Sequence, residues 1–127
     1  MKKSRPLIGI IAAEAEYVFF SNALNTIQKE LFAANMDAAV FSSLMMSGNA
    51  EFDAAENSVY DLVDFDLLDG IIIFSSSIND VTSRERLIAR IKSDFKGPVV
   101  SFDSQVDGFA NCLYNYEPVA DMMVSHI

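Results

Sequence analysis

The chain has 127 residues, 51% of them hydrophobic, which suits one folded domain with one core and argues against disorder. Its 18 acidic and 9 basic side chains leave a net charge of −9, and a surface of that sign repels a phosphate backbone, which argues against direct nucleic-acid binding by this segment. One cysteine, Cys112, allows no intrachain disulfide, and no run approaches the roughly 18 apolar residues of a membrane span, so a cytoplasmic chain without a membrane partner is expected.

Residues 1–6 read as a tail and 7–127 as one domain. The opening MKKSRPLIGIIAAEAE begins like a secretion signal, but its apolar run is short and passes directly into Glu14 and Glu16, so a strand over 7–12 is predicted instead. Phe20, Ala23, Leu24, Ile27 and Leu31 then follow the three-and-four spacing of one helix face, and Asn35 stands where a left-handed cap would stop that helix. A second strand is predicted over 38–41, and a second helical stripe through Phe52, Ala55, Val59, Leu62 and Val63. Asp69-Gly70 reads as a turn into a third strand over 70–74, which ends in Ser75-Ser76-Ser77. Thr82 and Glu85 have capping-box spacing ahead of Leu87, Ile88 and Ile91, and a fourth strand is predicted over 98–102. A fifth follows over 112–114, across a link too short for a comfortable helical crossover, which leaves its direction open. Pro118 suits the first turn of a last helix, in which Val119, Met122 and Met123 are apolar.

The first, third and fourth strands are continuously apolar rather than alternating, as expected when both faces are covered. Strands separated by helices therefore predict an α/β fold of three layers, αβα, with a mostly parallel sheet. In such sheets ligands bind beyond the carboxyl ends of the strands. The residues placed there are Tyr17, Phe19 and Phe20 for stacking, Ser75 and Ser76 for hydrogen bonding, and Asp103 and Asn115 after the later strands.

Catalytic signatures are sparse. His126 reads as a helix-surface residue and Cys112 as a small core hydrophobe. No Cys/His metal spacing exists, and AAEAE stands where a dinucleotide fold would need glycines, so neither metal nor cofactor is expected. A phosphoacceptor receiver domain would end its third strand in Asp, whereas this one ends in Ser75.

Four segments carry a resemblance: PLIGIIAAEAEYVFFSNALNTIQKELFAANMDAAVF, LVDFDLLDGIIIFSSS, GPVVSFDS and LYNYEPVADMMVSHI. In this order they resemble the N-terminal lobe of the effector-binding domain of LacI/GalR-type regulators, a lobe of the type I periplasmic-binding-protein fold. The sequence departs from the family where Ser104 follows Asp103 in place of the arginine of sugar binders, where Asn115-Tyr116 replaces Asp-Asn, and where Asn35 replaces a glycine. No helix-turn-helix headpiece precedes residue 7, and the sequence stops where the second lobe is expected. The resemblance implies a non-enzymatic sensing lobe of a transcription or signalling regulator, binding a small-molecule effector, sugar-like in many members, and pairing as a homodimer through its first helices. The alternatives are a dimerisation module without ligand binding and, further off, a flavodoxin-like enzyme.

Overall fold

The computed structural model describes residues 5–16, 18–44, 48–113 and 117–126. Five strands form one sheet: β1 (Leu7–Ala13), β2 (Asp37–Ser43), β3 (Gly70–Ile73), β4 (Val99–Phe102) and β5 (Ala110–Cys112). Their spatial order is β2-β1-β3-β4-β5, and every neighbouring pair is parallel. The helices are α1 (Val18–Ala33), α2 (Ala50–Asn57), α3 (Val81–Asp94) and α4 (Glu117–Ser125). The predicted α/β class and the pairing of the first and third apolar runs are both observed, with Ile8 opposite Gly70 and Ile11 opposite Ile73.

The central strands are apolar on both sides because both sides are covered. Ile11, Ala13, Ile71 and Ile73 point to one face, where they form the main core with Tyr60, Val63, Leu68, Ile78, Leu87 and Ile91. Ile10 and Ala12 point the other way and are also buried. That second face is covered by α1, whose Phe20 ring lies 6.1 Å from Phe74, itself stacked 4.8 Å from Phe102. The stripe Phe20, Ala23, Leu24, Ile27 and Leu31 is half-buried throughout, as its spacing predicts. Asn35 takes the left-handed conformation at φ 59°, and Met36 N–H closes the helix end on Leu31 O.

At the amino ends of the strands, the Asp69 carboxylate accepts the Leu7 N–H at 2.7 Å and so ties β1 to the entry of β3. Gly9 lets Leu68 pack closely over β1: a Cβ there would lie 2.7 Å from Leu68 Cδ1, and the leucine would have to shift.

Four expectations need correction. The fifth strand lies at 110–112 rather than 112–114, and it is parallel to β4 without any helix. Residues 103–109 suffice for the return because three paired residues advance only about 10 Å, and Gly108 at φ 88° turns the chain. Cys112 is not a core residue; β5 is the edge strand, and the sidechain is exposed. The second helical stripe holds only in part: Val59 and Val63 meet the core, but Phe52, Ala55 and Leu62 do not, since α2 ends at Asn57 and passes into a 3-10 turn over Ser58–Leu62. The inward positions are therefore Asp53, Asn57, Tyr60 and Val63, while Phe52 and Leu62 are exposed. Finally, α3 is capped by Asp80, whose carboxylate accepts the Ser83 N–H at 3.0 Å, and Thr82 is exposed within the first turn.

Candidate functional site

The carboxyl ends of the strands are joined by side chains rather than left as loose loops. Tyr60 rises from the 3-10 turn after α2 and is 3% exposed. Its hydroxyl donates to Ala12 O at 2.7 Å and lies 3.1 Å from Ser43 Oγ, which joins the ends of β1 and β2. Burial pushes the Tyr60 phenol above its usual value of 10.0, against the opposing pull of its hydrogen bonding to Ser43 and with a smaller push from the Glu14 charge. Ser77 joins β1 to β3: its hydroxyl accepts the Ala13 N–H at 2.8 Å and donates to Phe74 O at 2.6 Å. Ser101 closes the turn after β4 by donating to Ser104 O.

Two strands end in a residue of left-handed backbone. Glu14, at φ 54°, follows β1, and its N–H still reaches Ser43 O at 2.8 Å. Asp103, at φ 58°, follows β4, and its N–H reaches Cys112 O at 2.8 Å. Each completes the ladder and then turns the chain away sharply. Non-glycine residues in this region are uncommon and carry a conformational cost, which tends to be found where a binding surface is shaped.

Of the predicted site residues, Tyr17 and Asn115 lie outside the described residues. Phe19 and Phe20 meet edge to face, their ring centres 5.3 Å apart, at the start of α1. Phe20 turns inward against Phe74 and Phe19 is largely exposed. With Phe74 and Phe102 they form an aromatic run along the ends of β3 and β4. Beside it, between α1 and β4, lies a hollow of about 340 Å³ lined by Phe19, Asn22, Ala23, Thr26, Ile27 and Phe102. Ser76 is exposed on the edge, whereas Ser75 is 1% exposed and its hydroxyl has no hydrogen-bond partner. Asp103 is half-buried at the end of β4. The structure thus brings Phe19, Phe20, Ser76 and Asp103 to one edge and withdraws Ser75 into the interior.

Sequence reasoning missed Tyr60, Ser43 and Ser77, which hold that edge together. Ser77 stands in the triplet already singled out, but the tight turn over Ser75–Ser77 decides which hydroxyl points inward. Tyr60 was hidden because the helical period breaks at Asn57.

The edge offers aromatic faces, hydroxyls, amide groups and the carboxylates of Glu14 and Asp103. That set can stack on and hydrogen-bond a small polar molecule. Among the described residues, no three His, Cys, Asp or Glu side chains converge to hold a metal ion, and no helix is long and apolar enough to cross a membrane. No protein-family profile matches the chain, and no curated protein sequence matches it either.

Proposed function

We propose that the chain is a non-enzymatic, small-molecule-sensing lobe of a regulator, of the kind found in the LacI/GalR-type effector-binding domains that its sequence resembles. The observation that carries this reading is the carboxyl edge. There, left-handed Glu14 and Asp103 end β1 and β4 on either side of β3, and Phe19 and Phe102 border an open hollow. The edge is rigidly tied through Tyr60 and Ser77, which suits a wall that presents groups to a ligand. One wall alone encloses little of a ligand, whereas small-molecule sites enclose roughly 70–90% of it. On this reading a second wall closes over the edge, and the ligand's preference for the closed state is what is signalled.

The test is a titration of the isotopically labelled chain with D-ribose, D-glucose and D-galactose, followed by amide chemical shifts. Weak, millimolar binding of at least one sugar is expected, with shifts at Phe19, Ser76, Phe102 and Asp103 that are lost in Phe102→Ala. Perturbations confined to other regions, or none for any sugar, would remove the edge as a sugar-type ligand site.

A second reading, a pairing module, is favoured by a different observation. The face of β4 and β5 beyond α1 is open at Ala110 and Cys112, and Val119, Met122 and Met123 of α4 are exposed.

A further inference from the structure

At the end of the sheet opposite the carboxyl edge, between the last turn of α3 and the amino ends of β4 and β5, lies a hollow of about 410 Å³. Its floor is apolar: Phe95, the residue that ends α3, with Pro98, Val99 and Phe109. Phe95 is 9% exposed and its ring centre lies 6.0 Å from that of Phe65, while Val99 and Phe109 pack against the main core. The core thus fixes the floor. Gly108 leaves the space beside it open, since a Cβ added there would meet only Lys92 Cε, at 3.8 Å. A volume of this size accepts a small molecule, and small-molecule sites combine apolar walls with a few placed polar groups.

One charged side chain lines the hollow. Lys92, in the last turn of α3, holds its ammonium group 5.7 Å from the centre of the Phe109 ring. The ring attracts the ammonium and keeps it at the wall. Among the described residues, Arg5, Arg86 and Arg90 each lie within 4.0 Å of an aspartate, whereas Lys92 makes no ion pair. In a chain of 18 acids and 9 bases, this base stands against an aromatic ring instead of an acid. Its N–H donors are left for an acceptor.

The charge of the lining selects the ligand. An amine would meet the Lys92 ammonium as a like charge. A neutral apolar molecule would fill the floor but give the ammonium little. A carboxylate accepts from it in a charge-assisted hydrogen bond. The net charge of −9 repels anions from a distance, but that field is screened beyond roughly 8 Å at physiological ionic strength, so the contact at Lys92 decides.

We propose that this hollow binds a small monocarboxylate with an apolar, ring-bearing body. The carboxylate accepts from the Lys92 ammonium, and the ring lies over Phe95, Pro98 and Val99 beside Phe109. The site shares no residue with the carboxyl edge and does not depend on the sensing reading.

The experiment uses the full chain and phenylacetate, by calorimetry and amide shifts at neutral pH and one ionic strength. Its controls are 2-phenylethanol and 2-phenylethylamine, which keep the ring without the carboxylate, and acetate, which keeps the carboxylate without the ring. One phenylacetate per chain is expected, with shifts at Lys92, Gly97, Gly108 and Phe109, about tenfold tighter than the alcohol and with no binding of the amine or of acetate. Lys92→Gln should bring phenylacetate down to the affinity of the alcohol and leave the alcohol's own affinity unchanged, whereas Lys92→Arg should keep the advantage of the acid. Circular dichroism shows whether each variant retains the fold; if Lys92→Gln does not, the ratio of acid to alcohol in the parent chain decides. Equal affinity of the parent for acid and alcohol, shifts centred away from the hollow, no binding, or undiminished binding by folded Lys92→Gln would each overturn the proposal.

Discussion

Tyr60 and Ser75 are both buried and both carry a hydroxyl, yet they predict opposite outcomes on removal. The Tyr60 hydroxyl satisfies Ala12 O and Ser43 Oγ. Tyr60→Phe leaves both behind in a buried setting and should destabilise the chain by about 1–3 kcal/mol in urea unfolding. The effect should also depend on pH. Because burial raises the folded phenol above its usual value, its contribution is complete below pH 10.0 and is lost as pH rises through the folded value. The gap between parent and Tyr60→Phe should therefore narrow above pH 10.0, and unfolding curves taken on both sides of it check this. Ser75 has no partner to lose. Ser75→Ala should leave the unfolding midpoint unchanged or raise it, because a buried hydroxyl without a hydrogen bond is itself unfavourable.

At the scale of the elements, α3 depends on its cap. Asp80 accepts both the N–H and the hydroxyl of Ser83, and these bonds hold its carboxyl below the usual carboxylate value of 3.8. The contribution is present above pH 3.8 and is lost as pH falls through the lower, folded value. Asp80→Ala should remove protection from hydrogen exchange at Ser83 and Arg84 while leaving Ile91 protected, which exchange measured by mass spectrometry or NMR resolves. The cap also shows what was legible in the sequence. The continuous apolar runs locate β1, β3 and β4, and the apolar stripe marks the inward face of α1, because burial on two faces or on one stripe leaves a direct mark in residue order. The caps and turns depended on finer competition. Thr82 with Glu85 matches a capping box, but the helix starts two residues earlier, where Asp80 is the cap and accepts the Ser83 N–H. On α2 the inward face carries Asp53 and Asn57, so hydrophobic periodicity pointed to the wrong side of the helix. Of the edge, the aromatic and serine positions are visible. The ties through Tyr60 are not, because they join residues 17 and 48 positions apart.

For the whole molecule, the uneven covering of the sheet decides how the chain behaves in solution. One face is closed by the main core, whereas the other is closed by α1 and stays open at β5. The apolar groups of α4 are exposed on the same chain, so a second copy can offer α4 to that open face and receive the same in return. Sedimentation velocity should show a mass that rises from 14.0 kDa with concentration, more steeply as salt screens the charge of −9. Met122→Lys with Met123→Lys should restore a single 14.0 kDa species. A parent chain that stays at that mass at every concentration would show that the open face attracts no copy of α4.

The order β2-β1-β3-β4-β5 has a further consequence, for the path by which the chain acquires its shape. It contains no hairpin, so no pair of strands can form by simply doubling back through a tight turn. An interior strand, β1, is made first, yet the bond from Leu7 to Asp69 spans 62 positions. As the chain leaves the ribosome, β1 can pair with β2 early but keeps its other edge bare until β3 emerges. A nascent chain halted between β2 and β3 therefore carries an unsatisfied, highly apolar strand edge, and the interval before Gly70 appears is when it is most open to wrong partners.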